Sequence, residues 1–511
     1  MIPFFLPPQK TIDPPRSPSQ TTPAFSGYDA HTPLPTPLAA AEAQAQSRSA
    51  VLRKELGFAD LILASILLVV IPDFFGTAVK AGPSHVVLWI LAIALFFIPQ
   101  ALVVTHLNQL MPLEGGLYEW ARLAFNDAIG FLVACNLWFY VVLYVASIGL
   151  VSVTYAAYAL GADAAAVAAN KWLVLAASVT IIAALMFVAL LGLRIGKWVT
   201  NAGSFLTVLT ITLLALLPFL HVWRGTLSAY HPLRLAAPPL TLFSLSVFSK
   251  MTFGALCGFE YAAIFAGESR NPVRHLTRAI FFTAPLIALL YIFGTSAILA
   301  FVSPDAINVI GPIPQALSRA FQGLGFARII VPVAILLLLT NYLSSFSLNF
   351  AANARLPMVA GWDHLLPPWF TRLHARYRTP VNCILLLGAV TLAASIAVLT
   401  GVGEQEAFEL LQIWGFAFYG IAYLALFAIP LFAPKSTGIR PAFWLRIASV
   451  SGLLLTLLFV LLSAFPIIPV ANQSAYTTKT VAVLLGANLF ALLLYRLGAR
   501  RNTFRSRSRP R

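Results

Sequence analysis

The chain has 511 residues, 59% hydrophobic and only 10% charged, with a formal net charge of +16 and a mean hydropathy of +0.86. A soluble domain carries about 25% charged residues, so this chain cannot cover a water-facing surface and reads as an all-α membrane protein. Its apolar stretches have the roughly 20-residue length of spanning helices rather than the pattern of alternating barrel strands, and the positive charge fits a membrane surface better than nucleic acid.

Residues 1–55 are rich in Pro, Ser, Thr and Ala ("TIDPPRSPSQTTPAF"), a composition that buries little and predicts a disordered cytoplasmic tail. No segment has the layout of a secretory signal, so the N-terminus is expected to stay inside. A twelve-helix unit then runs over 56–498. Twelve apolar segments lie near 58–80, 86–110, 127–160, 171–191, 197–222, 241–266, 277–302, 326–353, 380–400, 406–432, 443–465 and 477–497. Residues 499–511 ("ARRNTFRSRSRPR") form a basic tail suited to an anionic cytoplasmic leaflet.

With the N-terminus inside, 25 of the 33 Lys and Arg fall in the tails and connections of the inner face and seven on the outer, Lys250 remaining within segment six. This bias predicts that both termini are cytoplasmic in a multi-pass cytoplasmic-membrane protein. Lys250 is expected to snorkel from segment six to the interface. Cys135, Cys257 and Cys383 are scattered through apolar runs and read as small buried residues rather than disulfides or metal ligands.

Two segments contain breaks. Segment one reads "VVIPDFFG": Pro72 removes a backbone donor, Asp73 places a carboxylate in a spanning segment, and Gly76 allows a bend. Segment six reads "TFGALCGFE", with Gly254 and Gly258 ahead of Glu260. Taken singly, Pro72 is also a simple kink, and Gly254-x-x-x-Gly258 is also a close-packing motif. Taken together, two breaks five helices apart predict a five-plus-five inverted repeat, about 58–222 and 241–432, with additional helices over 443–497. Such breaks expose backbone N–H and C=O groups at mid-membrane, which is tolerated only beside a cavity.

Three stretches carry a resemblance: "MPLEGGLYEWARLAFNDAIGF" after segment two, "GFEYAAIFAGESRNPVRHLTRAI" from segment six, and "ARLPMVAGWDHLLPPWFTRLHARYRTPV" after segment eight. In this order and spacing they resemble the amino acid–polyamine–organocation (APC) permeases over about residues 55–497. The "FFIPQALVVTHLNQLMPLEGG" stretch looks most like the glutamate/GABA antiporter and related branches. The resemblance implies an amino acid or amine substrate, held between helices 1, 3, 6, 8 and 10 and moved by alternating access, as exchange or symport with a proton or sodium. It needs no cofactor. It places the substrate against Ile71, Pro72, Asp73 and Gly76 at one break and Phe253, Gly254 and Gly258 at the other. Ser345 and Asn349 fall on the cavity side of segment eight, and Tyr144 and Trp414 are cavity aromatics. Glu260 matches an acidic residue used in gating or proton response. Ser344 and Ser345 are weak sodium candidates, since membrane serines more often bond a carbonyl one turn back.

The chain departs from the family at two points. Many members carry a Gly-Ser-Gly triplet where this one has Pro-Asp-Phe-Phe-Gly, and "NAGSFLTVLTITLLALL" in segment five lacks the lysine that replaces sodium in some proton-coupled members. Asp73 is therefore the sharpest candidate for binding a substrate ammonium or carrying a proton. Glu268, Arg270, Arg274 and Arg278, with Arg355, Asp363 and Arg376, are candidates for inner-gate ion pairs or solvated loop charges. No P-loop, HExxH or GxSxG pattern is present, which speaks against an ATP-driven pump; the alternatives are a membrane-embedded enzyme and a non-transporting amino acid sensor or channel.

Overall fold

The structure is a computed structural model. It describes residues 58–507, apart from 112–115, 192, 265–271, 323–326, 359–365, 375–376, 378, 400–401 and 433–440. The described residues are helical, without strands, and hold 11 helices long and apolar enough to cross a membrane, or 12 when the bent pair at the start is one span.

In chain order the spans are α1 (Phe58–Val69 and Asp73–Val79), α2 (Gly82–Leu110), α3 (Asp127–Ala159), α4 (Lys171–Leu191), α5 (Leu193–Trp223) and α6 (Leu242–Leu256 and Phe259–Ile264). Then come α7 (Pro272–Leu299), α8 (Ala327–Asn353), α9 (Val381–Leu399), α10 (Glu404–Phe432), α11 (Phe443–Leu462) and α12 (Gln473–Arg507). Each falls on one of the twelve apolar segments.

Local chemistry marks the ends. Asn126 accepts the Ile129 N–H at 3.0 Å to cap α3, and Thr241 accepts the Ser244 N–H at 3.1 Å to cap α6. α1 stops at Val69 because Pro72 has no N–H to return to a preceding carbonyl, and its two halves meet at 51°. α6 stops where Cys257 turns extended and Gly258 takes φ +124°, a backbone region that side chains with a Cβ avoid.

α6 lies at the centre, with 78% of its span buried, whereas α12 is 17% buried and α4 22%. The peripheral helices present Leu, Ile and Phe outwards, among them Leu485, Leu489 and Phe187, as lipid-facing surfaces do. α10 packs against α3 and α11, and α7 against α1, so the two broken helices sit inside a cage of continuous ones.

Candidate functional site

At each break, side chains from other helices take up backbone groups that the break would leave without partners. At the α1 break, the Tyr291 hydroxyl of α7 accepts the Ile71 N–H at 3.0 Å and donates to the Val69 carbonyl at 3.0 Å. Tyr291 is held in place by Trp89, stacked at 4.7 Å, and by Phe75 at 4.9 Å. Trp89 is itself fixed by donating to Thr295 Oγ1 at 3.1 Å.

At the α6 break, Gln100 of α2 does the equivalent. With its amide oriented to suit its neighbours, Nε2 donates to the Leu256 carbonyl at 2.7 Å and Oε1 accepts the Gly258 N–H at 3.2 Å. A π-turn over Ile93–Phe97 widens α2 just ahead of Gln100, a device common at functional sites. The Gly258 N–H also reaches the Tyr423 hydroxyl at 2.8 Å. α2 and α7 are five helices apart, as α1 and α6 are, so the residues that bridge the breaks keep the same spacing as the breaks themselves.

A buried carboxylate follows each break. Asp73, 4% exposed, accepts from the Tyr342 hydroxyl of α8 and from Gln412 Nε2 of α10. Glu260, 2% exposed, accepts from the Tyr419 and Tyr423 hydroxyls of α10. Among the described residues neither acid is ion-paired. Gln412, Tyr419 and Tyr423 are spaced i, i+7, i+11 and share one face of α10, so a single helix face serves both acids. An aromatic wall lies between them: Phe74 meets Phe416 edge-on at 4.8 Å, and Tyr140 stacks on Tyr419 at 4.4 Å and on Tyr144 at 5.6 Å.

Several residues expected at the site are placed differently. Gly76 is not at the bend: it lies within the second half of α1, where a Cβ would come 3.2 Å from Val309 Cα. Gly254 is also a packing position, since a Cβ there would run into the Phe74 ring. Phe253 points behind the break, stacked on Phe459 of α11 at 4.6 Å. Trp414 turns towards α12, donating to Thr480 Oγ1 at 2.9 Å. Two positions along α10 rotate a side chain by about 200°, so Trp414 cannot share the face of Gln412.

The remaining candidates lie near the expected places. Tyr144 is buried against Phe346 at 4.7 Å. Asn349 Nδ2 donates to the Ser345 carbonyl at 3.0 Å, and Ser344 Oγ donates to the Thr340 carbonyl at 2.8 Å, the back-bonding that competes with a sodium role. Ser344 also faces α5, where a Cβ on Gly203 would lie 2.6 Å from Ser344 Cβ. Glu268, Arg270, Asp363, Arg376 and the side chain of Arg274 lie outside the described residues. Arg278 is exposed and Arg355 half-buried.

Lys250 does not snorkel. It is fully buried, and its Nζ donates to Glu409 Oε1 at 3.0 Å and to the Phe465 carbonyl at 2.6 Å. The connection after α11 folds back over α6 and α10, and its Ile467 N–H donates to the same Glu409 oxygen at 3.0 Å. This cover closes off the route to the interface that the sequence suggested.

The site residues missed by sequence reasoning are Tyr291, Gln100, Tyr342, Gln412, Tyr419 and Tyr423. None stands out in the sequence: the i, i+7, i+11 spacing along α10 becomes recognisable only once its inward face is known.

The model of the family described as "Amino acid permease" matches residues 57–489. A branched-chain amino acid permease of Bacillus subtilis is 24% identical, covering 71% of this chain and 80% of its own. A probable agmatine/putrescine antiporter of Lactococcus lactis is 22% identical, covering 84% and 92%. An uncharacterized transporter of Legionella pneumophila is 26% identical, covering 74% and 80%. Among solved structures, MhsT in complex with L-phenylalanine superposes with a TM-score of 0.59 at 15% identity, covering 81% of this chain and 99% of that one. That likeness shows a shared fold.

Proposed function

The chain belongs to the amino acid permease family, and from that premise we propose that it moves an amino acid or related amine across the cytoplasmic membrane by alternating access. Both termini are placed in the cytoplasm on the strength of the Lys and Arg bias. The observation that carries the reading is the matched pair of helix breaks, each followed by a buried carboxylate and both served by one face of α10.

In this reading Asp73 takes the substrate ammonium. Its donors, Tyr342 and Gln412, are neutral, so an incoming cation finds an uncompensated acid in a low-dielectric site, where the attraction is strong. Ile71, Pro72 and Gly258 shape the walls. Tyr144, Ser345 and Asn349 complete them from α3 and α8. The backbone groups at the breaks are already bridged by Tyr291 and Gln100, so a substrate that uses them must displace those side chains. α10, in contact with both half-helices, is the element whose movement would register an occupied site.

Glu260 is assigned the proton response. The Tyr423 hydroxyl has one proton, which it gives either to Glu260 or to Gln100, 2.7 Å away. When Glu260 Oε2 carries a proton it donates to Tyr423, which turns that hydroxyl towards Gln100 at the α6 break, while Oε1 goes on accepting from Tyr419. Tyr140, Cys257, Tyr261, Tyr419 and Tyr423 are the titratable groups around it.

The test is counterflow. Proteoliposomes loaded with an unlabelled substrate and holding the purified chain should accumulate the labelled form transiently. An enzyme would consume it, and a channel would show no saturation. Absence of counterflow across a panel of amino acids and amines contradicts the reading.

A further inference from the structure

Beside Asp73, away from the α1 break, lies a small cavity with about 30 Å3 of free space, lined by Asp73, Thr77, Glu409 and Gln412 and by apolar side chains that include Phe74 and Phe408. It has room for an ammonium-sized group but not for a whole amino acid.

Two of its acceptors lack a close hydrogen bond. Glu409 and Gln412 are each 5% exposed. The bonds to Glu409 gather on Oε1, which takes Lys250 and the Ile467 N–H, while the buried Oε2 has the Tyr476 hydroxyl of α12 as its one neighbouring donor among the described residues and no close hydrogen bond. Gln412 donates its amide N–H to Asp73, and its Oε1 is likewise buried and unbonded. Buried acceptors without donors are costly, and each calls for an explanation.

The two acids at the cavity are unequally paired: Glu409 has Lys250, and Asp73 has neutral donors alone. Asp73 and Glu409 face one close cation, Lys250. Lys80, in the connection between α1 and α2, is outside the lining; it is half-buried, its pKa lowered by lost hydration against the opposing pull of Asp305 and Glu409. The cavity thus offers carboxylate and amide oxygens to a donor-only cation and repels anions. The flanking Phe74 and Phe408 rings suit an alkyl chain with an ammonium head better than a hydrated metal ion.

We propose that this cavity is an alkylammonium subsite, in which Glu409 Oε2 and Gln412 Oε1 take hydrogen bonds from a primary ammonium that Asp73 attracts. An ammonium flanked by its own carboxylate fits poorly between two acids, so the substrate carries an amine remote from any carboxylate, as in an aliphatic diamine or the side-chain end of a basic amino acid. This rests on the transporter reading above and narrows its substrate.

The experiment is ligand-induced thermal shift and counterflow on the purified full chain, with 1,4-diaminobutane, lysine, leucine and sodium chloride as probes. Amine-dependent stabilisation, with counterflow of the same amine, is the expected result. The response to 1,4-diaminobutane against that to lysine tells which source supplies the ammonium, and either supports the subsite. Because Glu409→Gln alone strands Lys250, the variant to use is Lys250→Met with Glu409→Gln. It should keep a cooperative melt yet weaken amine binding at least tenfold. Amine binding unchanged in that variant overturns the proposal, as does stabilisation by sodium alone. Counterflow of leucine without amine binding overturns the subsite and leaves the transporter reading standing. No counterflow with any probe sinks both.

Discussion

Tyr291 satisfies two backbone groups with one hydroxyl. Removing it should be felt even though no charge is lost. In Tyr291→Phe the Ile71 N–H and the Val69 carbonyl lose that partner, and a buried group without one costs about 1–3 kcal/mol. The expected result is a lower melting temperature for the purified variant; an unchanged melt would mean that water or another group fills the place. Glu260→Gln should behave differently. The amide keeps a hydrogen-bonding side chain in place but cannot gain or lose a proton, so initial uptake rates should become nearly independent of pH from 5 to 8. A pH profile that follows the wild type would remove Glu260 from the coupling role. The acids themselves were legible in the sequence, because an ionisable residue in an apolar run stands out. Their partners were not. Tyr342 is 269 residues from Asp73 and Gln412 is 339 residues away. A helix that is apolar nearly all round gives no periodic signal of which face points inwards, and for that reason Trp414 was a reasonable choice from the sequence and Gln412 was not an obvious one.

At the scale of elements, the breaks divide into residues that make them and residues that pack them. Pro72 and Gly258 make them. Gly76 and Gly254 allow close approach, the latter leaving room for the Phe74 ring. The two kinds should respond differently to alanine. Gly258→Ala forces a Cβ into φ +124° and to 3.1 Å from the Leu68 carbonyl. Strain of this kind costs on the order of 1–3 kcal/mol, and the backbone at the break must shift. Loss of transport together with a lower melting temperature is expected. Gly76→Ala meets Val309 Cα at 3.2 Å with ordinary helical backbone, so its effect should be smaller and confined to stability. Equal loss of transport in the two variants would contradict this division. The twelve spans were readable because length and apolarity alone define them. The positions of the breaks were readable because proline and paired glycines mark them. The bridging by Tyr291 and Gln100 was not, since it depends on how helices five apart meet in space.

For the whole molecule, the Lys250–Glu409 pair fastens α6 to α10 and to the connection after α11. Losing one partner of such a pair leaves a buried charge and typically costs about 3–5 kcal/mol, whereas replacing both with apolar or neutral groups is often close to neutral. Lys250→Met alone should therefore lower the melting temperature markedly, and adding Glu409→Gln should restore most of it. Additive losses in the double variant would mean that the pair is not coupled. The pair belongs to the same assembly as the site: α10 carries Glu409 beside Lys250, Gln412 beside Asp73, and Tyr419 and Tyr423 beside Glu260. In the proposed transport cycle, α10 and its neighbours would move against two half-helices whose ends are held by side chains. The most direct test of that account is counterflow of a labelled substrate by wild type and by Asp73→Asn in matched proteoliposomes. The account predicts saturable counterflow by the wild type, and its loss or a change of accepted substrate in a variant that remains folded. Wild-type-like counterflow by Asp73→Asn, with the same substrates and the same pH profile, would contradict it.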